Sequence, residues 1–277
     1  MSSKKFTKNR KRFGTSQTFL YFYKMIKVVI IGSGNVAQHL ISAFKKADSI
    51  DLIQALARKR ESLFHLLDSE LIINDYAQLV EADIYIICVS DNAITEVSTQ
   101  LPFQNRLVVH TSGSVAMEEL SNRNRKGVFY PLQTFSKNKE VNFREIPICL
   151  ETQFESDYQI LEKVAQSISK SIYEINSEQR KSLHVSAVFV CNFVNHLYEI
   201  GSDICNENKV DFEILKPLIQ ETANKIISLS PNEAQTGPAK RNDNQTINSH
   251  LQFLSNYNQK EIYKLLTKSI IDNGKKL

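Results

Sequence analysis

Residues 26–44 read IKVVIIGSGNVAQHLISAF: an apolar, β-branched run, then GSGNVA, then a segment with helical apolar spacing. A strand, a tight turn and a helix in that order make a phosphate cradle. Gly32 and Gly34 fall where the turn must be tight and where backbone must approach a pyrophosphate, and Ala37 is the third small position, letting the helix lie close on the strand. Around Ser33, Asn35 and Val36 the helix start offers N–H groups that no helical carbonyl satisfies. A dinucleotide is the expected ligand, against the alternative of a plain strand-to-helix turn. The next expected strand is Asp51–Ala57, and roughly at its end, about 20 residues past the glycines, an acid would hold the ribose hydroxyls. Arg58, Lys59 and Arg60 stand there instead. Three cations suit a 2′-phosphate and favour NADP over NAD; the alternative is a solvated charge cluster opening a helix, which the helix dipole disfavours.

Ligands of a doubly wound sheet sit beyond the carboxyl ends of its strands, which singles out the residues just after each one. Val89 ends the fourth strand and Ser90 and Asp91 follow it, where they either border the nicotinamide ribose or cap a helix. His110, Ser112 and Gly113 form a substrate-anchoring loop or a structural turn, and Gln133, in YPLQTF, is placed to wall the same cleft. Later, residues 183–204 are apolar almost all the way round, so this helix is expected to be buried. Lys181, His184, Asn192, Asn195 and Glu199 nevertheless project within about one quarter of its circumference. That stripe is either an active-site wall or a hydrogen-bonded seam to another helix or subunit. On the first reading His184 moves the proton, because an imidazole titrates near neutrality, with Lys181 and Asn192 beside it. In TGPAKRND, Lys240 and Arg241 could hold an anionic group, while Asp243 reads as a helix N-cap.

These residues need a scaffold, and 277 residues with 42% hydrophobic content supply a sizeable core. Residues 1–24 carry seven lysines and arginines and no acid; without those seven the formal charge of +4 becomes −3. The body is therefore mildly acidic, nucleic-acid binding is unsupported, and 1–24 reads as a basic, disordered leader ahead of a true start at Met25. No apolar run spans a membrane, since Asn192, Asn195 and His196 interrupt the longest. Four cysteines without metal-ligand spacing imply no metal and a reducing cytoplasm. The expected fold is an α/β Rossmann-like domain with a mostly parallel sheet over 25–176, followed by an all-α substrate or dimerisation domain over 177–277. Its expected strands include Asp83–Val89, Leu107–His110, Gly127–Tyr130, Pro147–Leu150 and Ile172–Ile175, with short helices at Glu61–Leu67 and Tyr76–Val80.

GSGNVA, VSDNAI, HTSGS, FYPLQTFS, HVSAVFVCNFVNHLY and TGPAKRND, in that order, resemble the bacterial NADP oxidoreductases that join a Rossmann-like domain to a helical domain of unknown function. These are relatives of pyrroline-5-carboxylate reductase and of the 6-phosphogluconate dehydrogenase superfamily, whose C-terminal domain is similarly helical. The resemblance covers Met25 to the C-terminus and implies NADP binding, a cleft between domains and a homodimer made through the helical domain. Hydroxyacid dehydrogenases of that superfamily follow the helix lysine with an asparagine one turn later; here Lys181 is followed by Val185. The expected function is hydride transfer between NADP and a small carbonyl, imine or hydroxy substrate. The alternatives are a non-catalytic NADP-sensing homodimer and a deazaflavin:NADP oxidoreductase.

Overall fold

Val28 to Ile31 are wholly buried, and their side chains alternate between two cores. In the computed structural model, which describes residues 25–137 and 139–274, this run is β1 (Ile26–Ile31). The basic leader lies outside the described residues. Seven more strands, β2 (Ile50–Leu56), β3 (Ile72–Ile73), β4 (Ile84–Ile87), β5 (Leu107–His110), β6 (Arg125–Pro131), β7 (Ile148–Thr152) and β8 (Ile172–Glu174), complete one sheet. Their order is β3-β2-β1-β4-β5-β6-β7-β8, parallel throughout except for the β6/β7 pair.

Val28 and Ile30 meet α1 (Asn35–Phe44) and α3 (Glu155–Ile168), whose Leu40, Ile41, Phe44, Leu161, Val164 and Ile168 recur at helical spacing. Val29 and Ile31 share the second core with Tyr85, Ile87 and Ile94, the last opening α2 (Ile94–Gln100). Helices on both faces explain why the strands are continuous apolar runs rather than alternating ones. Each large aliphatic side chain so buried stabilises the fold by about 1.5–3 kcal/mol. The helices expected at 61–67 and 76–80 are only 3₁₀ turns, Arg60–Leu63 and Tyr76–Gln78. The second cannot propagate because Tyr85 Oη donates to the Val80 carbonyl (2.7 Å) and accepts from the Ala82 N–H (3.1 Å), holding that segment extended into β4.

After β8 the chain is helical: α4 (Ser177–Ala187), a π-helical stretch Val188–Phe193, α5 (Val194–Glu207), α6 (Lys216–Ser228), α7 (Pro231–Ala234), α8 (Asn244–Phe253) and α9 (Tyr257–Gly274). Two compact units divide after Ser186, ten residues beyond the border expected at Asn176. Asn176 instead caps α4, through a reciprocal box in which its Oδ1 accepts from the Gln179 N–H (2.9 Å) and Gln179 Oε1 accepts from its own N–H (3.0 Å). α4 stays with the α/β unit because Arg180, 1% exposed, pairs with Glu151 of β7 and donates to the Val115 carbonyl (2.6 Å). In the second unit Asp243 caps α8, as its sequence suggests, accepting from the Thr246 N–H (3.1 Å). No helix among the described residues is long and apolar enough to cross a membrane.

The expected burial of residues 183–204 is corrected by the structure: Phe189 and Val190 are 63% and 66% exposed, and Phe193 and Leu197 are exposed as well. Residues 188–193 are π-helical, a local departure from the roughly 100° per residue that the polar stripe assumes.

Candidate functional site

β1 pairs with β2 on one side and β4 on the other, so the chain direction switches at its carboxyl end. A crevice must open there. It has a volume of about 860 Å³, and its walls are the glycine turn, Arg58 and Tyr76, the stretch Cys88–Ser90, the outer side of α2, Thr111, and the Gln133–Phe135 loop.

The turn itself is fixed by contact. Gly32 has φ +130° and donates to the Leu56 carbonyl (2.8 Å), while a Cβ on it would lie 2.2 Å from the Cys88 carbonyl oxygen. Only glycine allows β1 and β4 to close so tightly. Gly34 opens α1 without a side-chain cap, and nothing lies within 4 Å of where its Cβ would be. Free helix-start N–H groups, no acid in the first turn and open space beside Gly34 fit a pyrophosphate. The Phe135 loop is tied across this turn: Asn35 Nδ2 donates to the Phe135 carbonyl (3.0 Å), and the His39 ring, 5.0 Å from that of Phe135, bonds the Ser136 carbonyl through Nε2 (3.1 Å).

Of the three adjacent cations, Arg58 lines the crevice. Lys59 is exposed ahead of the 3₁₀ turn, and Arg60 turns away to donate to the Ser69 carbonyl (2.6 Å). Tyr76, beside Arg58, has its hydroxyl pKa raised by burial and by the charge of Glu96, against a lowering by Arg58. Glu96 accepts from Gln100 Nε2 (3.0 Å), and both line the crevice. One guanidinium, one phenol and one carboxylate thus line this end of the crevice. Cys88, also in the wall, is a neutral thiol whose pKa burial pushes up to about 12.

At the other end, Val89 and Ser90 line the crevice, whereas Asp91 accepts from Ser114 Oγ (2.5 Å) and so ties the fourth-strand turn to the HTSGS loop. His110 is 0% exposed; its Nδ1 accepts from the Ser112 N–H (3.1 Å), and burial first, then the charge of Arg180, lower its pKa to about 4. It is a neutral anchor for the loop rather than a residue open to substrate. Ser112 serves the same turn, its Oγ accepting from the Ser114 and Val115 N–H groups. Gly113 packs so closely that a Cβ there would come within 2.6 Å of His184 Nδ1 and 2.8 Å of Tyr130 Cζ. Gln133 lines the crevice, its Oε1 holding the Thr134 N–H (2.8 Å).

His184 stands on α4 with its Nδ1 3.1 Å from Tyr130 Oη, and both side chains press on the glycine two residues after crevice-lining Thr111. Tyr130, at the end of β6, opens the YPLQTF stretch expected to wall the cleft, but its pairing with His184 is not legible in the sequence; no local spacing links residues 54 positions apart. Lys181 is exposed on the same helix. Asn192 lies exposed in the π stretch, and Lys240 and Arg241 belong to the helical unit, where Lys240 borders a separate cavity with Pro231 and Ile270.

Residues 27–113 match the family model described as NADP oxidoreductase, coenzyme F420-dependent, and residues 146–270 match a domain of unknown function, DUF2520. A Bacteroides fragilis protein provisionally named an NADP oxidoreductase is 37% identical, with a TM-score of 0.82 over 90% of this chain and 98% of its own. The chain belongs to that NADP oxidoreductase family. A Thermotoga maritima protein (20% identity, TM-score 0.69, 90% of this chain and 98% of that one) shares the fold of the family. So does a 1-pyrroline-5-carboxylate reductase from Streptococcus pyogenes (14%, TM-score 0.60, 91% and 99%). No functionally curated protein matches the sequence.

Proposed function

We propose that the chain is an NADP-dependent oxidoreductase acting on a small carbonyl, imine or hydroxy compound, with the dinucleotide in the β1/β4 crevice and its nicotinamide toward Thr111 and Gly113. The observation that carries this reading is the Tyr130–His184 pair held against the loop that ends that crevice. Bound NADPH or NADP supplies or accepts the hydride. His184 supplies or accepts the accompanying proton: with Nδ1 engaged by Tyr130, Nε2 is the nitrogen left for it. Tyr130 fixes the ring orientation, and Arg58 is the cation for a 2′-phosphate, acting without Lys59 and Arg60.

His184→Gln should lower turnover at least a hundredfold, the usual scale of general acid–base catalysis, while changing NADPH affinity less than threefold. NADPH oxidation in a screen of cyclic imines and small carbonyls measures it. Unchanged turnover removes His184 from the reaction, and absence of turnover with every substrate favours the NADP-sensing alternative.

The helical unit is proposed to pair with a second copy. Among its described residues the buried apolar side chains are Ala239, Ile247 and Leu254, whereas Ile227 is 82% exposed and Phe189, Val190, Leu218 and Leu265 are exposed too. So much exposed apolar surface marks an interface. Light scattering should give twice the mass of one chain, and Ile227→Glu should shift it toward monomer; a monomeric wild-type protein would contradict the pairing.

A further inference from the structure

Farther along α1 a second cavity, of about 470 Å³, adjoins the segment that follows β6. Its walls carry Lys46, Lys137, Lys139 and Arg144 against one carboxylate, Glu140. None of the four cations has a carboxylate partner among the described residues. Arg144 makes only a long contact from Nη1 to the Gln166 carbonyl (3.5 Å). Unpaired like charges around one concavity repel each other and concentrate a positive field inside it, which an anion relieves. Leu66, Val141, Phe143 and Ile168 give the same cavity an apolar side.

We infer that this cavity binds a phosphate monoester of a small organic molecule, with the dianion between Lys46 and Arg144 and the organic group against Phe143. An arginine fork and a lysine are the pair that phosphate oxygens accept from most strongly. A bare phosphate would leave the apolar wall unfilled. Phe143 stacks at 5.8 Å on Phe135, which lines the dinucleotide crevice. The second cavity thus abuts that crevice without using its glycine turn, and the inference stands whether or not the crevice holds NADP.

Calorimetric titration of the full chain with phenyl phosphate, at ionic strength matched with sodium chloride, tests it. Phenyl phosphate should bind saturably, at least tenfold more tightly than inorganic phosphate. Lys46→Gln with Arg144→Gln should weaken it tenfold or more while leaving the melting temperature unchanged, since both side chains are exposed. Arg58→Ala should leave it bound. Absence of saturable heat, binding that survives the double substitution, or binding abolished by Arg58→Ala would each overturn the site. Equal affinity for inorganic phosphate would overturn the organic half of the inference.

Discussion

Arg180→Leu is expected to destabilise the α/β unit by about 3–5 kcal/mol, the usual cost of breaking a buried ion pair by removing one partner. Its guanidinium holds together three pieces distant in sequence: the Glu151 carboxylate, the Val115 carbonyl that closes the HTSGS loop, and Ser177 Oγ at the start of α4 (3.1 Å). Without it Glu151, already accepting from the Ser177 N–H (2.9 Å), remains a largely buried carboxylate with no cation. Removing both charges, as Arg180→Leu with Glu151→Leu, should therefore cost less than the sum of the single substitutions. Urea unfolding followed on the α/β transition measures both. Costs that simply add would mean the pair is not coupled. Because Arg180 also sets the pose of α4, Arg180→Leu should loosen the Tyr130–His184 contact.

Gly32→Ala and Gly34→Ala should separate stability from ligand binding. At Gly32 a methyl would collide with the Cys88 carbonyl at 2.2 Å, from a backbone at φ +130° that alanine resists. The expected loss is about 2–4 kcal/mol, because the obstacle is main chain just past β4 and cannot rotate away as a side chain would. Dinucleotide binding should fall with it. Gly34 has ordinary extended dihedrals, φ −72° and ψ −176°, and open space around it. Gly34→Ala should melt like the wild type yet bind NADPH tenfold or more weakly, a loss of about 1.4 kcal/mol or more, since its methyl would enter the open space proposed for the pyrophosphate. A destabilised Gly34→Ala with unimpaired NADPH binding would contradict the cradle.

The glycine turn, β4, β5 and the Asp243 cap were legible because each is written in adjacent residues: a run of apolar residues, glycines directly after such a run, or an acid opening a helix. The Tyr130–His184 and Arg180–Glu151 pairings were not, since the partners lie 54 and 29 residues apart. Arg180 did leave one trace: it stands in phase with Leu183 and Ala187, on the α4 face that turns inward. Arg58, Lys59 and Arg60 look alike in a row, yet only Arg58 lines the crevice, while Arg60 opens a 3₁₀ turn and donates to the Ser69 carbonyl. The all-round apolar helix was expected to be buried because such composition demands cover. The described residues of one chain leave Phe189, Val190 and Phe193 exposed, which is the physical basis for proposing a second copy.

The most direct test of the account is a titration of the purified protein with NADPH and with NADH, following nicotinamide fluorescence, in the wild type and in Arg58→Ala. NADPH should bind at least tenfold more tightly than NADH, a difference of about 1.4 kcal/mol or more, and Arg58→Ala should abolish that preference while leaving NADH affinity nearly unchanged. Failure of both nucleotides to bind, or a preference for NADPH that survives Arg58→Ala, would contradict it.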